Sequence, residues 1–288
     1  MISTDPRINV SEPAWDERLL RNPHVVADKR GRVQRMFAAI APSYDLNNRL
    51  HSLWMDQRWR RKAVKLAGLG ASDAVLDVAC GTGDLTLKFA QALCDVTNVG
   101  AGWGNRMLPP RDRVTGIDFT YEMLPLARAK ALSRPARGVG GSFHLADITQ
   151  WSCGDATALP MADASVDVVS IAFGIRNVQD PAAAIREFHR VLRPGGRLLV
   201  LEFSLPTNPM LRGLYNFYFR KILPRTATLV SGDKTGAYKY LPESVNTFIS
   251  REQMMQMMRE AGFANVEQHP MTFGVCVCYR GVRDQADA

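Results

Sequence analysis

The stretch AVLDVACGTGDL, residues 74–85, decides the fold. Ala74, Val75 and Leu76 open it as a short apolar run of the kind that forms a buried strand. Asp77 stands at the strand's C-terminal end. Cys80-Gly81-Thr82-Gly83 follows as a tight turn, in which two glycines can take positive φ and put no side chain in the way. Asp84 and the run from Leu85 to Ala90 then begin a helix. Strand, glycine turn and helix, in that order, is the layout of a nucleotide-cofactor site at the switch point of an open α/β sheet. A bare G-x-G also fits a plain strand-to-helix connection; the strand before it and the helix after it favour the cofactor turn.

Downstream, Val114 to Asp118 reads as a second strand ending in an acid. In such sheets an acid at that place accepts hydrogen bonds from ribose hydroxyls, though Asp118 could equally cap the helix that follows. Two similar phrases come next, Leu145-Ala146-Asp147 and Cys153-Gly154-Asp155-Ala156. Either aspartate could end strand three, and Asp155 is preferred because the chain then leads straight into the next strand. Val166 to Phe173 is a β-branched fourth strand suited to the middle of a parallel sheet. Ligands bind beyond the carboxyl ends of such strands, so Arg176 and Asn177 should face a pocket; a surface salt bridge is the plainer role for Arg176. Pro181 starts a helix, Arg197 to Phe203 is strand five, and Val266–Gln268 and Thr272–Tyr279 close the sheet.

Upstream, Val33, Met36, Phe37 and Ile40 recur at helical spacing and Pro42 breaks the run. In Tyr44-Asp45-Leu46-Asn47-Asn48 polar groups sit directly beside apolar ones, which costs free energy unless they are bonded; Asp45 could serve as a helix cap. The basic run from Arg58 to Lys62 fits a solvated helix face or a contact with anionic lipid. The organisation expected is a mobile polar arm over 1–27, one domain over 28–282, and a polar tail over 283–288. The domain carries a helical cap at 28–70, inserted loops at 95–113 and 133–152, and a helical segment at 208–230. That segment could pack in the core, form a lid over a lipid-tailed substrate, or lie on a surface.

The 288 residues carry 46% hydrophobic and 22% charged side chains, an ordinary globular balance. The net charge of +8 favours an anionic partner without choosing one. Five cysteines, with no C-x-x-C and no clustered histidines, argue against a disulfide framework or a zinc site. A cytoplasmic location fits. No leader-like apolar segment stands at the N-terminus, and no run approaches the ~20 apolar residues that span a bilayer.

The phrase Asp77-x-x-x-Gly81-x-Gly83 resembles the first motif of class I S-adenosylmethionine-dependent methyltransferases, which have a Rossmann-like, mostly parallel seven-stranded sheet with helices on both faces. Further stretches resemble one family, the C-methyltransferases of menaquinone and ubiquinone biosynthesis. These are Tyr44 to Asn48 with Trp54 and Arg58-Trp59-Arg60; the glycine turn, with Cys80 replacing the family's first glycine; Phe173 to Val178; Arg190 to Arg197 through Ser204; and Tyr240 to Ser244 with Ala261-Gly262-Phe263 and Phe273-Gly274-Val275. Arg193 stands where lysine is commoner, and the two insertions blur which aspartate reads adenine.

The resemblance implies S-adenosyl-L-methionine as cofactor, held at Asp77, Gly81, Thr82, Gly83, Asp118, Asp155, Ala156 and Ser170. It implies methylation of a ring carbon of demethylmenaquinol, or alternatively of a polyprenyl benzoquinol; Asp56-Gln57-Arg58-Trp59 leans toward the former. Tyr44, Asp45 and Asn48 would bind this lipid-tailed quinol, with Arg176 and Asn177 catalytic. Arg176 would lower the hydroxyl's pKa and orient a water. A peripheral contact with the membrane surface and a homo-oligomer are both compatible with it. An RNA methyltransferase shares the fold, but the chain has no Pro-Pro-aromatic motif of base-amine methylation, and no nucleic acid is expected. A cofactor-binding scaffold without turnover is a third reading.

Overall fold

The computed structural model describes residues 14–99, 112–137, 143–233 and 235–285. Among them a seven-stranded sheet runs β3-β2-β1-β4-β5-β7-β6. Its strands are β1 (Val75–Val78), β2 (Val114–Asp118), β3 (Thr149–Cys153), β4 (Val166–Ala172), β5 (Leu192–Phe203), β6 (Phe263–Met271) and β7 (Cys276–Arg283). The first five are parallel, and β7 runs antiparallel to both of its neighbours. The class I methyltransferase sheet implied by the sequence is the one observed. The order reverses between β1 and β4, which places the switch point at the glycine turn.

Alternation along the strands feeds two cores, because successive side chains point to opposite faces. Val75, Val114, Val168, Leu199 and the pair Cys276 and Cys278 pack against α3 (Met55–Ala67) and α4 (Asp84–Thr97). Leu76, Ile117, Val169, Val200 and Val277 pack on the other face, against α6 (Pro181–Val191) and α10 (Arg251–Glu260). There Met254 and Met258 are core residues, 1% and 0% exposed. The remaining helices are α1 (Lys29–Ile40), α2 (Tyr44–His51), α5 (Met123–Leu132), α7 (Pro209–Phe217), α8 (Leu223–Ser231) and α9 (Ala237–Asn246). A π-helical turn, Tyr218–Ile222, joins α7 to α8.

Several boundaries differ from the sequence reading. Thr149–Cys153 is strand rather than the end of a loop, and α4 continues to Thr97; residues 100–111 and 138–142 of the two expected insertions lie outside the described residues. β5 begins at Leu192, before the Pro194-Gly195-Gly196 phrase, since Val166 already pairs with Leu192. Thr272–Gly274 is a 3₁₀ turn between β6 and β7, not strand. Arg283, assigned to the tail, pairs with Phe263 in the sheet.

The arm expected over 1–27 is not free from Ala14 onward. Trp15 is 2% exposed and stacks on Tyr240 with ring centroids 4.5 Å apart. With Ala14 and Leu20 it joins a third core, made with α1, Tyr215, Phe219, Leu223 and Ala227. No apolar periodicity announces this, because two or three large side chains suffice to anchor the segment. Residues 1–13 lie outside the described residues. Truncating a buried aromatic costs about 3–5 kcal/mol. Trp15→Ala should therefore lower the unfolding free energy by roughly 3 kcal/mol or more in a urea titration, whereas a mobile arm would leave it unchanged.

Candidate active site

A cleft of about 530 Å³ opens where β1, β2 and β4 end. Gly81, at φ +55°, turns its backbone N–H onto Asp118 Oδ2 at 2.7 Å, and Thr120 N donates to Oδ1 at 2.7 Å. These bonds fix the Asp118 carboxylate on the cleft wall; burial pushes its pKa up while they draw it back. Asp155 and Ala156 follow β3 and also line the cleft. Asp155 accepts from Thr157 N at 2.9 Å and pairs with Arg30 at 3.0 Å. The Arg30 guanidinium also lies over the Phe119 ring, 4.3 Å from its centroid. Asp147 sits before β3, in a 3₁₀ turn where it accepts from His144 N, and so at the opposite end of the sheet.

At the end of β4 the backbone of Phe173 turns left-handed, φ +57°, a strained conformation for a bulky residue. Its carbonyl thereby accepts from Arg176 Nη1 at 2.7 Å and from Asn177 Nδ2 at 3.2 Å. Gly174 is required here, because a Cβ would lie 2.6 Å from that of Ala79 on the β1 turn. Asn177 lines the cleft and accepts from Tyr240 Oη at 2.9 Å. Arg176 is 4% exposed and makes an ion pair of 2.6 Å with Glu202, itself 2% exposed. It is thus neither a surface bridge nor a free cation. Ser244 accepts from Arg176 Nε at 3.3 Å.

Arg176 faces a second, smaller cavity of about 70 Å³, walled by Tyr44, Asn48, Phe203, Tyr240 and Leu241 among others. Phe37, Tyr44 and Phe173 line both spaces. Beneath them Lys29, 1% exposed, donates to Val178 O at 2.7 Å and lies 3.3 Å from His24 Nδ1. Burial brings the Lys29 ammonium down to about 8 and the His24 imidazole to about 4.

Five of the expected site residues line neither space. Asp77, 1% exposed, accepts from Ser170 Oγ and from Thr86 Oγ1, each at 2.6 Å, so Asp77 and Ser170 form a buried brace under the turn. Gly83 is needed for packing, since a Cβ would lie 2.5 Å from the Trp151 ring. Thr82 donates to Asp45 at 2.6 Å, and Lys130 pairs with Asp45 at 2.5 Å and Asp84 at 2.8 Å. Asp45 therefore pins α2 to the start of α4, and no side-chain cap bond is made at the N-terminus of α2. Burial raises Asp84, but Lys130, Arg60 and Arg49 hold it well below the usual carboxylate range.

Sequence reasoning missed Glu202, Phe119, Arg30, Lys29 and Lys130. An acid inside the apolar run of β5 was the available signal for Glu202. Among the described residues no cluster suited to a metal is found, and no helix is long and apolar enough to cross a membrane.

The sheet order and a cleft at its switch point define a class I S-adenosylmethionine-dependent methyltransferase. Residues 24–283 match the model of the ubiE/COQ5 methyltransferase family, and the chain belongs to that family. It is 41% identical over 260 residues to the ubiquinone/menaquinone biosynthesis C-methyltransferase UbiE of Citrifermentans bemidjiense, covering 90% of this chain and 100% of that one. It is 41% identical over 254 residues to the demethylmenaquinone methyltransferase of Deinococcus radiodurans, covering 88% and 93%. A solved S-adenosylmethionine-dependent methyltransferase of Thermotoga maritima shares the fold at TM-score 0.52 and 20% identity, covering 88% of this chain and 100% of that one.

The brace under the glycine turn has a pH signature. Burial lifts the Asp77 carboxyl from 3.8 to about 6, against the pull of Ser170 and Thr86. Between those values the folded chain holds a proton that the unfolded chain has released, so this group's contribution to stability falls as pH rises and levels off above about 6. Asp77→Asn should remove that slope. Measured by urea unfolding, the wild type should lose up to ~3 kcal/mol relative to the variant across the window. Parallel stability curves for the two proteins would show that Asp77 titrates normally.

Proposed function

We propose that this chain transfers the methyl group of S-adenosyl-L-methionine to a ring carbon of demethylmenaquinol. Two cavities with a shared wall support this assignment above all. The larger suits the cofactor; the smaller sets the Arg176 guanidinium among aromatic walls and, at about 70 Å³, has to widen to admit a ring, with Phe37, Tyr44 and Phe173 between the two. The relatives' names, ubiquinone/menaquinone biosynthesis C-methyltransferase and demethylmenaquinone methyltransferase, favour the same substrate class.

The residues present fit the cofactor. Gly81 leaves its side of the cleft open, with Tyr44 the nearest side chain to a Cβ there, at 3.9 Å. Asp118 keeps lone pairs toward the cleft that suit ribose hydroxyls, each such charged bond contributing about 1.5–3 kcal/mol. Asp155 and Ala156 suit the adenine edge. Asp77, Thr82, Gly83 and Ser170 act from behind, as supports of the turn. Bound there, the cofactor supplies an electrophilic methyl group, which leaves alignment and water exclusion to the protein.

A quinol carbon becomes a good nucleophile when its hydroxyl loses a proton. Guanidinium stays protonated in proteins, so Arg176 is not the base. It lowers the hydroxyl's pKa and orients a water that takes the proton, while Tyr44 and Asn48 hold the ring and Asn177, on the cleft side, braces Tyr240 and the Phe173 carbonyl. Glu202 neutralises part of the Arg176 charge and fixes the direction of its donors.

Purified protein should add one methyl group to reduced demethylmenaquinol in detergent, read by mass spectrometry, and much less to a reduced desmethyl benzoquinol. The opposite preference would move the assignment to the benzoquinol, and no product on either ring would overturn both. Arg176→Lys keeps the charge but loses the planar fork. It should cut kcat by roughly a hundredfold and move the pH–rate profile to higher pH. Unchanged turnover and profile in a variant that melts normally would exclude the proposed role.

A further inference from the structure

An exposed apolar face, next to a basic groove, lies over the smaller cavity's side of the molecule. Along α7, the π turn and α8, Tyr215, Phe219, Leu223 and Ala227 point inward. The opposite stripe is also apolar: Met210 is 83% exposed, Leu214 67%, Phe217 59%, Ile222 40% and Leu229 85%. A helix with apolar residues outward is normally covered by something.

Two neighbouring turns present more of the same. Leu53 and Trp54 join α2 to α3 with φ of 50° and 59°, and are 77% and 56% exposed. Phe273, at φ 55° in the β6–β7 turn, is 81% exposed. Tyr218 Oη donates to His51 O at 3.2 Å and so ties the first turn to the π segment. Arg251 ties the second to the approach of α7, donating to Gly274 O at 2.9 Å and Leu205 O at 3.1 Å.

Beside the stripe runs a groove of about 560 Å³ lined by five cations, Arg21, Arg220, Lys221, Arg225 and Lys239, against two carboxylates, Glu17 and Glu243. Among the described residues, only Arg220 is paired with one of these acids, Glu243, at 2.9 Å. Cations bordering outward Leu, Phe and Trp side chains complement an anionic lipid surface, where apolar groups enter the acyl boundary and Lys and Arg meet head groups.

We propose that this face, the α7–α8 stripe with the Leu53-Trp54 and Phe273 turns and the adjoining basic groove, docks the enzyme on an anionic bilayer. It rests in part on the quinol reading, since a polyprenyl-tailed ring is held in a bilayer and must be met there. Docking on this side lets the ring move from lipid to the cavity under α2 while its tail stays in the acyl layer.

The test uses the full chain and vesicles of phosphatidylcholine alone or mixed with phosphatidylglycerol. Flotation should recover the protein with the mixed vesicles and not with the neutral ones, and added salt should weaken recovery. Replacing Arg220, Lys221 and Arg225 together by Gln should weaken binding by roughly fivefold per charge removed. Leu214→Ser with Phe217→Ser should reduce it further, with the melting temperature preserved. Trp54 emission, obtained by difference with Trp54→Phe, should be quenched by brominated lipid. All variants should methylate a tail-less, water-soluble quinol as the wild type does. Equal binding by wild type and the Ser variant would overturn the proposal. So would a wild-type dimer that the Ser variant splits, since the face would then meet a second copy. Normal methylation without vesicle binding defeats this inference alone; vesicle binding without methylation of any quinol defeats the quinol reading and leaves the docking face standing.

Discussion

Two buried opposite charges, Arg176 and Glu202, set the terms for the rest of the site. Each is at most 4% exposed, and they meet at 2.6 Å. Such a pair does little for net stability, because desolvation consumes most of the attraction. Its effect is to keep a permanent cation fixed inside an apolar chamber. Burial pushes Glu202 up, and Arg176 draws it back. The pair also dictates local backbone: Phe173 takes a strained φ so that its carbonyl can serve the same guanidinium, and α9 delivers Ser244 to its Nε. Strain of this kind persists only where surroundings over-determine it; here β4, β5 and α9 all converge on one side chain.

The helices before β1 do not decorate the sheet; they make the chamber. Tyr44 and Phe37 form the partition between the two cavities, and Tyr44 is held by α2, which Asp45 fastens to Thr82 and Lys130. The N-terminal segment closes the far side through Trp15 on Tyr240, whose hydroxyl in turn holds Asn177. A residue 162 positions earlier in the chain therefore bears on the strand-four end (177 minus 15).

What the sequence disclosed follows from how local each feature is. The glycine turn, the acid ending β2 and the residues beyond β4 were legible, because each is fixed by its own strand and by the rule that ligands gather at carboxyl ends. Pairs formed across the fold were not. Asp77 and Thr82 look like ligand residues in a motif; only the fold reveals that Ser170, Thr86 and Asp45 already occupy their polar atoms. Gly83 looks like a cofactor glycine, yet its constraint is Trp151, from a strand 68 residues away that the sequence reading treated as loop (151 minus 83). Trp15 was lost for the opposite reason, since one aromatic in a polar segment leaves no periodicity to detect.

The division of charge between the two cavities is what joins this architecture to its chemistry. The cleft carries Asp118 and Asp155 on its walls, whereas the smaller cavity carries Arg176 and Arg60. Those arginines have their own acids, Glu202 and Asp56, which fix the direction of each guanidinium. Lys29 is buried under the strand-four turn, where it donates to Val178 O on the cleft wall. In the proposed reaction a positively charged cofactor would sit on the acidic side and a ring losing its proton beside Arg176. Methyl transfer between them removes one charge of each sign, a change that a dry, low-dielectric boundary favours more than water does. Phe37, Tyr44 and Phe173, which line both cavities, supply an aromatic partition of the kind that boundary requires under the proposed reaction.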